Sequence, residues 1–194
     1  MTNVHVVTPF FREKNKQSLI VALAREQVYW HPITDYPIDF GEQWIQPMVT
    51  QVLVGWHQGS WKTQWYIDHA DIIDEDYYHV LCDDDLFEEG FYDKIRQCPE
   101  DVIVVSLNRG NRPSNSTGIL HGCTTLVAAP QNMKRGHVSS QQYIIKGKIF
   151  KTLKIDPSGW ADGLLGEFLY ANYPIRYEPD WYAYFNYFDM GRWS

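Results

Sequence analysis

The residues most able to do chemistry stand together at one point of the chain. Asp83-Asp84-Asp85 follows directly on Val80-Leu81-Cys82 and is followed by Leu86-Phe87. Three adjacent carboxylates between apolar segments repel one another unless something positive joins them. Their oxygens select hard cations, Mg2+, Mn2+ or Ca2+; Mg2+ or Mn2+ held by only one or two carboxylates keeps positions open for substrate phosphates. With 15 Asp in 194 residues, about one Asp-x-Asp spacing arises by chance, and Asp74-Glu75-Asp76 is a second example. Context separates the two. Asp74 to Asp76 sits in a polar stretch before a strand, whereas the triplet ends one. The competing reading of the triplet is a capped, exposed strand end leading into a helix, where Asp favours the first turn through the helix dipole.

Charge is distributed to match. Between Thr63 and Asp93 there are eleven acids and no Lys or Arg, while the rest of the chain carries thirteen acids and seventeen bases. The acidic middle is either a solvated face or a cation site, with basic flanks that could face an anionic ligand on that cation. The net charge of −7 argues against a protein that grips nucleic acid through its phosphates.

The elements that must position these residues follow from periodicity. Val4 to Val7 reads as a buried strand ended by Thr8-Pro9. Asn15 to Gln27, with Leu19, Ile20, Leu23 and Ala24 at helical spacing, reads as a helix capped by Asn15. Val28 to Ile33 reads as a second strand that Pro32 pushes toward an edge or its end. Strand, helix, strand within about 30 residues is the βαβ signature of a parallel α/β sheet. Thr34 to Pro47 reads as irregular and Val49 to Trp56 as a strand. Lys62 to Ile73 reads as a helix, Tyr77 to Cys82 as the strand entering the triplet, and Phe87 to Gln97 as a helix. Val102 to Leu107 and Gly122 to Ala129 read as strands on either side of the loop-like stretch Asn108 to Gly118. Tyr143 to Leu153 reads as mixed, with a short helix near Lys148. Leu164 to Tyr170 reads as a helix, and Ile175 to Glu178 and Trp181 to Tyr187 as closing strands.

A hydrophobic content of 44% with 21% charged residues excludes a disordered chain, and the length suits one domain with a full core. Cys82, Cys98 and Cys123 are odd in number and show neither metal-ligand spacing nor a disulfide framework, so a reducing compartment is expected. No apolar run approaches a membrane span, and Met1-Thr2-Asn3-Val4-His5 lacks the pattern of a signal peptide. A cytoplasmic protein is expected.

Four segments, in order along the chain, give it a resemblance to the glycosyltransferases of the GT-A fold, the nucleotide-diphospho-sugar transferase type. Val6-Val7-Thr8-Pro9-Phe10-Phe11-Arg12 resembles the first strand and nucleotide loop of that family. Asp74 to Asp85 resembles the stretch entering its DxD metal motif. Gln141 to Phe150 resembles the acceptor-side segment, and Gly159-Trp160-Ala161-Asp162-Gly163-Leu164-Leu165 the late acidic motif that opens a helix. The likeness is closest to family 2 and to the glucuronyltransferase-like inverting enzymes; residues 34–60 match it poorly.

The resemblance implies a mixed, mostly parallel sheet flanked by helices in a single GT-A-like domain over 1–194. Residues 1–107 would form the nucleotide- and metal-binding half and 108–194 the acceptor-side half. It implies a nucleotide-diphosphate sugar donor, most simply a UDP-sugar, a carbohydrate or other hydroxyl acceptor, and Mn2+ or Mg2+ on the triplet. Asp85 would be the direct metal ligand, Asp83 would complete the metal shell or contact ribose, and Asp84 would act through water or ribose. Thr8, Pro9, Phe10 and Arg12 would line the nucleotide, with Asp35 on the base and Lys62 reaching the nucleotide. Asp162 would be the general base of an inverting transfer, against a plain role as N-cap of its helix. Trp160 and His121 would meet acceptor or sugar.

Two other readings compete. A nucleotidyltransferase shares an α/β sheet and acid-bound Mg2+, but normally carries a Gly-rich loop after the first strand, where this chain has Thr8-Pro9-Phe10-Phe11. A non-catalytic carbohydrate- or nucleotide-binding module would suit the 8 Trp, 13 Tyr and 9 Phe, though such modules are usually all-β.

Overall fold

The computed structural model describes residues 2–50, 58–108, 125–135, 137–156 and 161–184. β-branched and aromatic runs form β1 (Val4–Pro9), β2 (Tyr29–Thr34), β4 (Tyr77–Val80), β6 (Val102–Asn108), β8 (Tyr143–Lys146) and β9 (Arg176–Tyr184), with two-residue strands β3 (Met48–Val49), β5 (Leu86–Phe87) and β7 (Thr125–Leu126). They make one sheet in the order β3-β2-β1-β4-β8-β6-β9-β5, with β7 on β6. The strands β3, β2, β1 and β4 are mutually parallel. β8 runs antiparallel between β4 and β6, and β9 returns parallel to β6. Both halves of the chain therefore share one sheet.

Period-two alternation divides the core between the two faces of this sheet. Val4 and Val6 of β1 and Ile103 and Val105 of β6 join Leu19 and Leu23 of α1 (Lys16–Arg25) and Phe91 and Ile95 of α3 (Phe91–Arg96). Val7 of β1 and Val102 and Val104 of β6 join Tyr66 of α2 (Gln58–His69), Phe150 of α4 (Gly147–Phe150) and Leu169 of α5 (Ala161–Asn172).

Several expectations change at the level of packing. Asn15 stands at the N-cap position of α1, as expected, but its side chain makes no capping bond; its amide donates instead to the Asp83 carbonyl at 2.9 Å. The helix expected from Phe87 starts later, because Leu86 and Phe87 pair with Tyr184 and Ala183. Gly90, at φ +73°, turns the chain into α3, and the carboxylate of Glu26 caps that helix from outside by accepting the N–H groups of Gly90 and Tyr92. The helix α2 begins four residues before the expected Lys62, and the two closing strands are one strand, β9, with a register shift opposite Val105 and Ser106. Pro32 stands in a strand with neighbours on both sides. The outer neighbour β3 pairs only at Ile33 and Thr34, so position 32 sits at the thin edge of the sheet, where a missing N–H is tolerated. The expected strand Val49 to Trp56 is seen only at its start. Loop 108–118 and the start of the 122–129 strand lie largely outside the described residues. Among the described residues no helix is long and apolar enough to cross a membrane.

Candidate functional site

Parallel strands gather their following loops at one edge, and in open α/β sheets that edge is where ligands bind. Here the carboxyl ends of β1, β2 and β4 bring together Phe10 to Arg12, Asp35 and the aspartate triplet. All three aspartates are buried, Asp83 and Asp85 completely.

Asp83 is committed to the β1 loop. Its carboxylate accepts the backbone N–H of Phe11 at 2.6 Å and of Arg12 at 2.5 Å, and pairs with the Arg12 guanidinium. The same guanidinium reaches Asp84 at 3.3 Å. On the other side of the loop, Lys62 of α2 donates to the Phe10 carbonyl at 3.1 Å and pairs with Asp35 at 3.0 Å. The loop is thus held by a carboxylate on its N–H groups and an ammonium on its carbonyl. Lys62 is 1% exposed. Burial pushes its ammonium below the usual lysine range, against the opposing pull of Asp35 and Asp83.

Some candidate side chains are placed elsewhere. Thr8 is fully buried and accepts the Trp30 indole N–H at 2.9 Å; Phe10 packs edge-on against Trp30 and Phe40 inside the core, and Pro9 is buried beside Gly59. Apolar rings at the end of an inner strand are worth more to the core than to solvent, so the expected flat edge for a base is not offered by Pro9 and Phe10. The exposed ring of the loop is Phe11, with the Lys62 ammonium 4.0 Å from its centroid. Sequence reading missed Phe11. No local pattern marks it, because β1 ends at Pro9 and is buried on both faces. Trp160 and His121 lie outside the described residues.

Asp162 lies in the first turn of α5, not at its N-cap, because the helix begins at Ala161. Its carboxylate is met by Ser139 Oγ at 3.4 Å and by the backbone and side chain of Ser140. Burial pushes this carboxyl above the usual range, and those hydrogen bonds only partly oppose it. α5 is brought close by two glycines. A Cβ on Gly163 would lie 2.4 Å from the Arg135 Cα, and one on Gly166 2.5 Å from the Tyr143 hydroxyl. That hydroxyl also donates to the Asp162 carbonyl at 2.9 Å.

A polar chain joins this wall to the triplet. Ser139 Oγ bonds Gln141 Oε1, the Gln141 amide reaches Cys82 Sγ at 2.9 Å, and Cys82 precedes Asp83. The Cys82 thiol is pushed well up by burial first, and then by the charges of Asp85, Asp84, Asp83 and Asp162. The Asp162 carboxylate and the triplet therefore act on the same buried atom. Gln141 is itself anchored, its carbonyl accepting from His79 Nε2 at 2.9 Å. Burial pushes His79 down to about 4, so the ring is neutral and, with Nε2 donating, its Nδ1 accepts from the Tyr92 hydroxyl at 2.7 Å.

The donor set fits a hard dication. Asp83, Asp84 and Asp85 offer carboxylate oxygens, the donor type that a hard dication takes. Among the described residues no three His, Cys, Asp or Glu side chains form a ready-made cage. The second Asp-x-Asp does different work. Asp74 pairs with Lys151 at the surface, and Asp76 is buried against Asn3 and His5.

No family model matches this sequence, and no curated protein sequence matches it significantly. Solved structures do share its fold. S. aureus TarS 1-349 superposes with a TM-score of 0.65 at 13% identity, over 93% of this chain and 60% of that one. S. aureus TarS gives 0.57 at 13% identity, over 94% of this chain and 36% of that one. The inositol-1-phosphate CTP transferase from T. maritima gives 0.52 at 12% identity, over 94% of this chain and 88% of that one. This chain thus spans 60% or less of the TarS structures it matches. The architecture is that of the GT-A and nucleotidyltransferase-like folds: one mixed α/β domain built on a sheet flanked by helices.

Proposed function

We propose that this chain is a transferase acting on a nucleotide-linked donor, and specifically a metal-dependent glycosyltransferase that uses a nucleotide-diphosphate sugar, in the simplest case a UDP-sugar. The observation that carries the reading is the buried aspartate triplet at the carboxyl end of β4, tied to the β1 loop through Asp83. The shared fold with a CTP transferase supports a nucleotide at this edge.

In this reading Asp85 and Asp84 hold a Mn2+ or Mg2+ ion, which when bound screens the diphosphate and stabilises charge on the leaving group. Asp83 keeps the β1 loop in shape. Arg12 offers its fork to a phosphate, Lys62 fixes Asp35 beside the base, and the Phe11 ring is the exposed surface for stacking. Asp162 takes the proton of the acceptor hydroxyl as that oxygen attacks the anomeric carbon with inversion. Burial raises its carboxyl above the usual range, which makes the carboxylate a stronger base. The hydrogen bonds from Ser139 and Ser140 orient it.

The test is release of UDP from a panel of UDP-sugars with Mn2+ present or chelated. Slow, metal-dependent release is expected, and Asp85→Ala should abolish the metal-dependent part of UDP binding. Equal UDP affinity for Asp85→Ala and wild type in Mn2+ would refute the metal assignment. Consumption of CTP with release of pyrophosphate, and no turnover of nucleotide sugars, would favour the nucleotidyltransferase instead. Binding without turnover of either substrate class would favour a non-catalytic module.

A further inference from the structure

The Arg12 guanidinium occupies an unusual place for a phosphate-binding group. It lies across the first two carboxylates of the triplet, on Asp83 and on Asp84 at 3.3 Å, and its backbone N–H is bonded to Asp83 as well. The three side chains are shielded, Asp83 and Asp84 at 1% and 5% exposure and Arg12 at 16%. A dication entering the triplet meets a resident positive charge there. At short range and out of bulk water, two cations cannot share one carboxylate cheaply. Yet a guanidinium binds phosphate oxygens as readily as carboxylate, in the same bidentate geometry.

We propose that Arg12 is a resident counter-ion that couples the two ligands: it holds Asp84 until a nucleoside diphosphate draws it away, and only then is the carboxylate released to the divalent cation. The inference deepens the nucleotide-sugar reading above and rests on it. Asp83 stays with the loop throughout, because its bonds to the Phe11 and Arg12 N–H groups do not depend on the guanidinium. Asp84 is the carboxylate that changes partner. Lys62 cannot replace Arg12 in this role, since it is pinned between the Phe10 carbonyl and Asp35. Linkage makes the effect reciprocal: whatever factor UDP adds to Mn2+ affinity, Mn2+ adds to UDP affinity.

The experiment measures free Mn2+ by electron paramagnetic resonance during titration of the whole chain, alone and with saturating UDP. Wild type is expected to bind Mn2+ weakly alone and about tenfold or more tightly with UDP, within the range of typical coupling factors. Uridine, which brings a base but no phosphate, should leave the affinity unchanged. Arg12→Gln should bind Mn2+ about tenfold more tightly than wild type without nucleotide, and its UDP coupling should shrink by a similar factor. Arg12→Met, which keeps the apolar stem packed, should do the same, and circular dichroism checks that each variant is folded. If both variants bind Mn2+ without nucleotide no better than wild type, while UDP still promotes binding, the counter-ion role is wrong and the transferase reading stands. A uridine effect equal to that of UDP also overturns the role. If no protein binds Mn2+ with or without UDP, the metal-dependent reading falls, and this inference with it.

Discussion

β1, β2 and β4 bury ionisable groups toward both ends, on opposite terms. Toward the amino ends, Asp76 accepts from the Asn3 backbone at 2.9 Å, the Asn3 amide at 3.1 Å and His5 Nε2 at 3.1 Å, and His5 Nδ1 meets His31 Nε2 at 2.9 Å. Because a carboxylate can only accept, His5 carries its proton on Nε2 and takes the next hydrogen bond from His31. Both oxygens of Asp76 and both ring nitrogens of His5 have a partner, and the His5 ring is stacked with Tyr29 and Tyr78. Toward the carboxyl ends, Asp83 and Asp84 share the Arg12 guanidinium and Asp35 pairs with Lys62. A satisfied network adds specificity to a core and asks for nothing more. A run of adjacent carboxylates at the carboxyl edge of parallel strands stands instead where ligands bind in open α/β sheets. The difference teaches that burial alone does not mark a functional carboxylate: Asp76 and Asp83 are both buried and hydrogen-bonded, and what separates them is that Asp83 holds the loop at the carboxyl edge of the sheet.

This contrast can be broken by variants that divide activity from stability. The largest effect is expected for Asp162→Asn, which should lower transfer by about a thousandfold, the scale of a lost general base, with UDP affinity and unfolding midpoint near wild type. Transfer at the wild-type rate would make Asp162 only a helix-terminal residue. Asp76→Ala should do the reverse. Removing one partner of a buried, hydrogen-bonded pair costs about 3 kcal/mol, read from urea unfolding, while the folded protein keeps its UDP affinity. A loss of UDP affinity without loss of stability would erase the distinction between the two ends.

The smallest effect per unit of change is a pH dependence of stability. Burial, together with the neighbouring His5, pushes His31 down to about 3, and burial pushes His79 down to about 4. The unfolded chain binds protons near pH 6.5 and the folded chain does not. Stability is therefore complete above about 6.5 and lost as pH falls toward 4 and then 3. Each histidine contributes at most about 1.4 kcal/mol per pH unit. Asp76 adds its own loss only lower. Burial pushes its carboxyl up, but the bonds from Asn3 and His5 outweigh this and hold it below its usual value. Urea unfolding between pH 6.5 and 4.5 should show the slope, and His31→Gln should flatten it. An unchanged slope would mean that His31 is solvated in the native state.

Much of this was legible in the order of residues. Strands and helices over 4–33 and 77–107 are apparent because apolar residues recur with periods of two and 3.6, and the triplet stands out because it interrupts an apolar run. Lys62 is different. A lysine within a helix reads as a surface charge, and only the approach of α2 to the β1 loop buries it. Phe10 and Phe11 are adjacent rings of one type, and which of them faces out depends on where β1 sits in the sheet. The reach of Gln141 to Cys82 and of Ser139 to Asp162 spans 59 and 23 residues, beyond any local pattern.

By itself the sequence determined which segments would be strands and helices and which residue types could meet a cation or take a proton, since these depend on neighbours a few positions apart. The tertiary structure decided which Asp-x-Asp is structural, which aspartate holds the β1 loop and where Arg12 rests. Those outcomes turn on charges and hydrogen-bond partners that approach only when distant strands pair.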